Sequence, residues 1–177
     1  MNTLRVGHLL LEPQVASHAA EMFVVLSDPA IYEFENSPPE SEAWLERRFA
    51  RLESRSSSDG TEQWLNWVVR LPAGNLAGYV QATLARDSIA YIAYEFASRH
   101  WRQGIGGASV SAVLRELHAT YAAQTFAAVL KARNFRSVAL LRSLGFAAEP
   151  PAGTAACACD PDEMVMYMAH GQGKNAA

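Results

Sequence analysis

Apolar positions along this 177-residue chain alternate between a two-residue and a helical period, and each switch marks an element. Residues 5–12 (RVGHLLLE) predict a first strand, closed by Pro13. Residues 14–26 then carry Val15, His18, Ala19, Met22, Phe23 and Leu26 at helical spacing. Ser27-Asp28-Pro29 ends that helix, because proline cannot extend it. Residues 31–39 are irregular, aromatic and acidic. Ser41 opens a second helix reaching to residue 53, with Trp44, Leu45, Arg48, Phe49 and Leu52 along it. After a polar loop at 54–60, residues 64–71 and Leu76–Leu84 form a hairpin about Pro72-Ala73-Gly74-Asn75. Ile89–Phe96 (IAYIAYEF) is a strand rich in aromatic and β-branched residues. Residues 108–122 form a helix with Val110, Val113, Leu114, Leu117 and Tyr121 on one face. A strand at 125–130 and a helix at 134–144 follow, the latter stopped by Gly145. Residues 154–159 and 163–169 are expected as closing strands, and 171–177 as a disordered tail.

This order predicts an α+β fold over residues 1–170, in one domain. The central sheet is mixed and mostly antiparallel, of about seven strands with helices on both faces. Composition narrows the function little but excludes some classes. Half the residues are hydrophobic and 19% charged, an ordinary globular balance. A net charge of −3 gives no electrostatic case for nucleic acid as a partner. With no apolar run of spanning length and no charged-then-apolar start, no membrane partner is expected and the cytoplasm is the expected compartment. Cys157 and Cys159 would face one side of a strand, but they lack enough neighbouring ligands for a metal site, so none is expected.

The chemistry concentrates at Arg99-His100-Trp101-Arg102-Gln103-Gly104-Ile105-Gly106-Gly107-Ala108. Three glycines between a strand and a helix let the backbone turn tightly and approach a ligand closely. The first helical amides then face the turn without partners, beside the positive helix end, and an anion suits that place. Arg102 adds a full positive charge. Such turns also serve simply as sharp corners, so both readings stand at this point. The dinucleotide fingerprint would need a glycine where Ser109 stands, and the ATP-type loop a Gly-Lys-Ser/Thr ending; both are absent.

Three segments in this order resemble the Gcn5-related N-acetyltransferase (GNAT) family, in particular its branch of bacterial ribosomal-protein N-terminal acetyltransferases. They are Tyr94-Glu95-Phe96 with Trp101-Arg102-Gln103-Gly104-Ile105-Gly106, Asn134-Phe135-Arg136-Ser137 leading to Leu144-Gly145-Phe146, and Leu9-Leu10-Leu11-Glu12-Pro13 with the helix ending at Ser27-Asp28-Pro29. The resemblance implies transfer of an acetyl group from acetyl-CoA, the acyl-donor cosubstrate, to a primary amine. It also implies a splayed pair of central strands. Arg102, Gln103, Gly104, Ile105, Gly106 and Gly107 would hold the pyrophosphate, and the backbone of Tyr94 and Phe96 the pantetheine arm. Asn134 would bond near the pantetheine or pyrophosphate, or serve as the N-cap of the last helix. The chain departs from the family pattern where Leu141 replaces a tyrosine acid and Ala90 a glutamate base.

Acyl transfer needs the amine neutral, a proton acceptor for it, and a donor for the leaving thiolate. Glu95 is the leading base candidate, on the strand that the resemblance sets beside the thioester. Strand alternation equally allows a solvent-facing residue there. Glu33 and Glu35 are the second option. Ser137 is the candidate donor to sulfur, with Tyr32, Tyr91 and Tyr94 in reserve. The acidic segment at 32–35 favours a cationic acceptor, either a protein N-terminus or a small amine. The competing reading is a non-catalytic acyl-CoA-binding or protein-interaction module on the same fold. A homodimer is compatible with either.

Overall fold

The computed structural model describes residues 1–85 and 89–171, so the expectation for the tail falls, apart from Gly171, outside the described residues. One seven-stranded sheet runs through them, ordered as in the sequence: β1 (Leu4–Val6), β2 (Leu9–Pro13), β3 (Gln63–Arg70), β4 (Leu76–Leu84), β5 (Ile89–Phe96), β6 (Thr125–Lys131) and β7 (Glu163–Ala169). Four α-helices accompany it: α1 (Ala19–Leu26), α2 (Glu42–Leu52), α3 (Ile105–Tyr121) and α4 (Phe135–Leu144). Every neighbouring pair is antiparallel except β5 with β6, which α3 joins as a parallel crossover. The α+β reading holds.

Strand alternation sends side chains to two cores. Trp67, Val69, Val80, Ala82, Ile92, Phe126 and Ala128 pack with Val113 and Leu117 of α3 and Leu141 of α4. On the opposite face, Val68 and Leu76 pack with Met22 and Val25 of α1 and with Leu45 and Phe49 of α2. Helix starts follow their caps: Ser41 Oγ accepts from the Trp44 amide at 3.1 Å, and Asn134 Oδ1 from the Ser137 amide at 3.1 Å. Gly145, at φ 99°, ends α4 in the left-handed conformation that glycine adopts without strain.

Three expectations need correction. Residues 5–12 are a hairpin rather than one strand, because Gly7 at φ 54° turns the chain between Val6 and Leu9. Residues 154–159 form no strand. The Cys157 amide donates to the Tyr167 hydroxyl at 2.7 Å instead of to a sheet neighbour, so the argument that both thiols share a strand face lapses. Finally, α3 begins at Ile105 rather than Ala108, which puts Gly106 and Gly107 inside its first turn.

The feature that organises the site is a divergence at the middle of the sheet. β5 and β6 pair only at Ile89↔Thr125, Ala90↔Phe126 and Tyr91↔Ala127. Beyond those rungs β5 stays on β4 as far as Phe96↔Gly78, while β6 stays on β7 as far as Lys131↔Glu163. The two facing edges therefore enclose a wedge in which backbone donors and acceptors are left for a ligand. Gly78 keeps β5 against β4 at the wide end of this wedge: a Cβ there would lie 2.1 Å from the Glu95 carbonyl oxygen and 2.8 Å from Phe96 Cα. Backbone cannot yield as a flexible side chain can, so Gly78→Ala is expected to destabilise the protein by about 1–3 kcal/mol, measured as a lower urea midpoint.

Candidate active site

A cleft of about 1070 Å³ passes through the wedge and joins the two faces of the sheet. At one end lies the N-terminus of α3. The Ala108 amide makes the first intrahelical bond there, to the Gly104 carbonyl at 3.0 Å, so the amides of Ile105, Gly106 and Gly107 precede the helical ladder. Gly104 at φ 79° and Arg102 at φ 60° bend the chain into the helix. Trp101 fixes the turn by donating from Nε1 to the Phe96 carbonyl at 2.7 Å, and Gln103 folds back to donate from Nε2 to the Arg99 carbonyl at 2.8 Å. A Cβ on Gly106 would press on Leu140 Cδ1 at 3.1 Å, whereas one on Gly107 meets nothing within 4 Å. Gly106 thus lets α3 pack closely on α4, while Gly107 faces open space in the cleft. The 102–107 turn thus presents three amides, those of residues 105–107, without helical partners at this end of the cleft.

In the wedge itself, consecutive β5 residues point to opposite faces. Tyr94 and Phe96 lie on the α3–α4 side. The Tyr94 hydroxyl is shielded from solvent and completes no hydrogen bond. Burial pushes its pKa up to about 12, and Ser137 beside it pulls slightly the other way. Ser137 lies on the first turn of α4, held by the Asn134 cap, and both residues line the cleft. Asn134 is thus an N-cap.

Glu95 lies on the other face, under α2. Its carboxylate lies on the same face as the Tyr79 hydroxyl, its register partner on β4, and accepts from Asn36 Nδ2 at 3.3 Å. Desolvation nevertheless raises its pKa above the ordinary value, and the charge of Glu35 adds to this, against the opposing influence of Tyr79, Asn36 and Arg48. Glu35 is raised too, first by burial and then by Glu163. Burial and Glu95 together hold the Tyr79 hydroxyl far above its usual range. Glu33 does not reach this cluster: its carboxylate pairs with Arg136 Nη1 at 2.6 Å. The Arg136 guanidinium sits 4.7 Å from the Trp101 ring centre, 4.9 Å from that of Phe135 and 5.4 Å from that of Phe34. With Arg133 Nη2 donating to the Phe34 carbonyl at 3.1 Å, residues 33–36 are tied to α4 across the cleft. Of the reserve tyrosines, Tyr32 donates to the Leu26 carbonyl at 2.7 Å, and Tyr91 sits against Cys157 Sγ at 3.1 Å, away from the cleft.

Comparison with known proteins agrees with this geometry. The acetyltransferase (GNAT) domain family model matches residues 8–147, most of the chain. The chain belongs to the GNAT acetyltransferase family. It is an acetyl-CoA-dependent N-acetyltransferase. Among solved structures, the ribosomal-protein-S5-alanine acetyltransferase from Vibrio fischeri superposes with a TM-score of 0.78 at 15% identity, covering 98% of this chain and 100% of its own. The ribosomal L7/L12 α-N-protein acetyltransferase RimL, in complex with coenzyme A, gives 0.78 at 15% identity over 95% of this chain and 98% of its own. A spermidine N-acetyltransferase SpeG chimera from Vibrio cholerae and hSSAT gives 0.73 at 19% identity over 92% and 96%. No curated protein matches the chain.

Sequence reasoning named Tyr94, Glu95, Phe96, Arg102, Gly104, Gly106, Gly107, Asn134 and Ser137, all of which line the cleft, and Gln103 and Ile105, which do not. It passed over Tyr79, Asn36 and Arg48. The strand register was the available signal for Tyr79, which stands opposite Glu95 once the 76–84 and 89–96 strands are paired. The raised pKa of Glu95 carries a stability consequence. Its proton is held more tightly in the folded state, so the stability this supplies is complete below the unfolded value and lost as pH rises through the folded one. Glu95→Gln is therefore expected to raise the melting temperature at pH 7 more than at pH 4, which thermal unfolding at the two pH values checks.

Proposed function

We propose that this protein transfers the acetyl group of acetyl-CoA to a primary amine on a protein or peptide N-terminus or a small molecule, with Glu95 as general base and Tyr94, beside Ser137, as proton donor. One observation carries the assignment. Adjacent residues of β5 put a hydrogen-bonded carboxylate and an unpartnered hydroxyl on opposite faces of the sheet at the point where it opens. Donor and acceptor substrates entering from the two faces meet there. The free amides at 105–107 and the positive helix end suit a pyrophosphate, and the unpaired β5 edge at Tyr94 and Phe96 suits the amides of a pantetheine arm. Acetyl-CoA, when bound, supplies the thioester.

The remaining work falls to the chain's own residues. Glu35 and Glu95 draw a cationic amine to the α2 face. Glu95, its affinity for a proton raised by burial, takes the proton that the amine loses as the C–N bond forms. The Tyr94 hydroxyl, neutral at pH 7 and free of any other hydrogen bond, offers its proton to the sulfur as the C–S bond breaks. A backbone amide of the unpaired β5 edge is placed to stabilise the charge developing on the carbonyl oxygen.

Release of CoA thiol from acetyl-CoA across a panel of amines tests the reading; no release with any of them overturns it. Glu95→Gln is expected to lower kcat about 100-fold and flatten the acid limb of the pH profile, with acetyl-CoA affinity retained. Gly107→Glu, whose side chain has room, is expected to weaken CoA binding at least about tenfold by placing a carboxylate at the amide cradle. Its melting temperature should hold, which calorimetric titration and thermal unfolding together establish.

A further inference from the structure

A second polar feature lies on the same face as Glu95, one register lower in the sheet. Gln14 continues β2 by donating its backbone amide to the Asn66 carbonyl at 2.8 Å; Asn66 stands opposite Gln81, and Gln81 opposite Ala93. Paired residues share a face, so the carboxamides of Gln14, Asn66 and Gln81 form a row across β2, β3 and β4 beneath α2. Ala93, small and exposed, separates the end of this row from Glu95, which is two residues on along β5. Gln14 and Asn66 are 2% and 3% exposed, and both side-chain amide nitrogens lack a partner. Close by, Arg55 donates to the Gln14 carbonyl from one guanidinium nitrogen and leaves the other, also shielded, without an acceptor. Gln14, Gln81 and Ala93 line the same cleft as Glu95, between the sheet and Phe49 and Leu52 of α2.

Unpaired buried amides cost stability that a leucine of similar size would not, so a row of them reads as a binding feature. What the shielded atoms lack is an acceptor: Gln14 Nε2, Asn66 Nδ2 and Arg55 Nη1 are all N–H donors. A protonated polyamine brings only further donors and would leave them unpaired. Carbonyl and carboxylate oxygens complete them. Strands lie about 4.8 Å apart, so the row starts within reach of a chain whose first amine sits at Glu95 and whose next few residues extend across the sheet.

We infer that Gln14, Asn66 and Gln81 select acceptor amines followed by carbonyl oxygens, as in a peptide N-terminus, over polyamines. The inference rests on the N-acetyltransfer reading only for the position of the amine. Its test uses CoA-thiol release with amidated tetrapeptides varied at their first residue, free alanine, spermidine and propylamine. Tetrapeptide binding to the CoA-saturated protein is measured by calorimetry alongside. Gln14→Leu and Asn66→Leu are expected to lower kcat/KM for the tetrapeptides about tenfold more than for propylamine, and to weaken tetrapeptide binding about tenfold. Should either variant fail to fold, Gln81→Leu at the half-buried end of the row makes the same test. A matching loss for free alanine alone keeps the carbonyl chemistry and assigns it to an amino acid. Amide-dependent tetrapeptide binding without acetylation of any amine upholds the row and overturns the transfer reading. Spermidine preferred to every carbonyl-bearing amine, an unchanged tetrapeptide-to-propylamine ratio in the variants, or no binding of any tetrapeptide or alanine overturns the inference.

Discussion

The parting of β5 from β6 after Tyr91 and Ala127 is the constraint on which the site depends. A continuous sheet would satisfy its own backbone and separate the α1–α2 face from the α3–α4 face. Three rungs of parallel pairing anchor the two strands, and then each follows its antiparallel partner, β4 or β7. The α3 crossover delivers its N-terminus to the same end of β5 where the strands have parted. One departure from regular pairing thus produces a passage through the sheet, a free strand edge and an amide-lined helix end, all on one cleft.

That geometry gives strand alternation a chemical use. In an unbroken sheet, Tyr94 and Glu95 would be isolated from one another by the backbone between them. At the edge of a gap they become the two walls of one passage. Their surroundings separate their roles. Glu95 accepts a hydrogen bond from Asn36 and has the Tyr79 hydroxyl opposite it, while the Tyr94 hydroxyl packs against the α3–α4 core and completes no hydrogen bond. Desolvation raises both pKa values, so Glu95 binds a proton more readily than an exposed carboxylate and the Tyr94 hydroxyl keeps its own at neutral pH.

Much of this was legible in the chain because local signals and tertiary outcome agree. Ser41, Asn134 and Gly145 mark helix ends by caps whose chemistry is local, and Leu76–Leu84 and Ile89–Phe96 run between clear breakers. The errors arose where small residues let either outcome stand. Gly7 could have been a strand glycine, and its turn follows only once β2 has β3 to pair with. The alanines and cysteines of 154–159 have no obligate partner, and the Tyr167 hydroxyl captures the Cys157 amide in place of a sheet neighbour. At the site, the turn at 102–107 and the identity of Glu95 could be read directly. The neighbours of Glu95 could not, because Tyr79, Asn36 and Glu35 come from separate segments that only the register and the 33–36 crossing bring together.

The departures from the family pattern become intelligible in the same terms. Leu141, where the family resemblance implies a tyrosine, is 1% exposed and fills the core between α4 and the sheet. A hydroxyl there would have to be buried and satisfied. Ala90, where a glutamate would stand, lies at the closed end of the strand pair, opposite Phe126 and below the point of parting. A carboxylate at that depth would face no passage. The polar groups that reach the opening come instead from the free stretch of β5 above it, on alternate faces. The polar side chains that β5 brings to the opening are therefore a carboxylate, Glu95, and a hydroxyl, Tyr94, on opposite faces of the sheet.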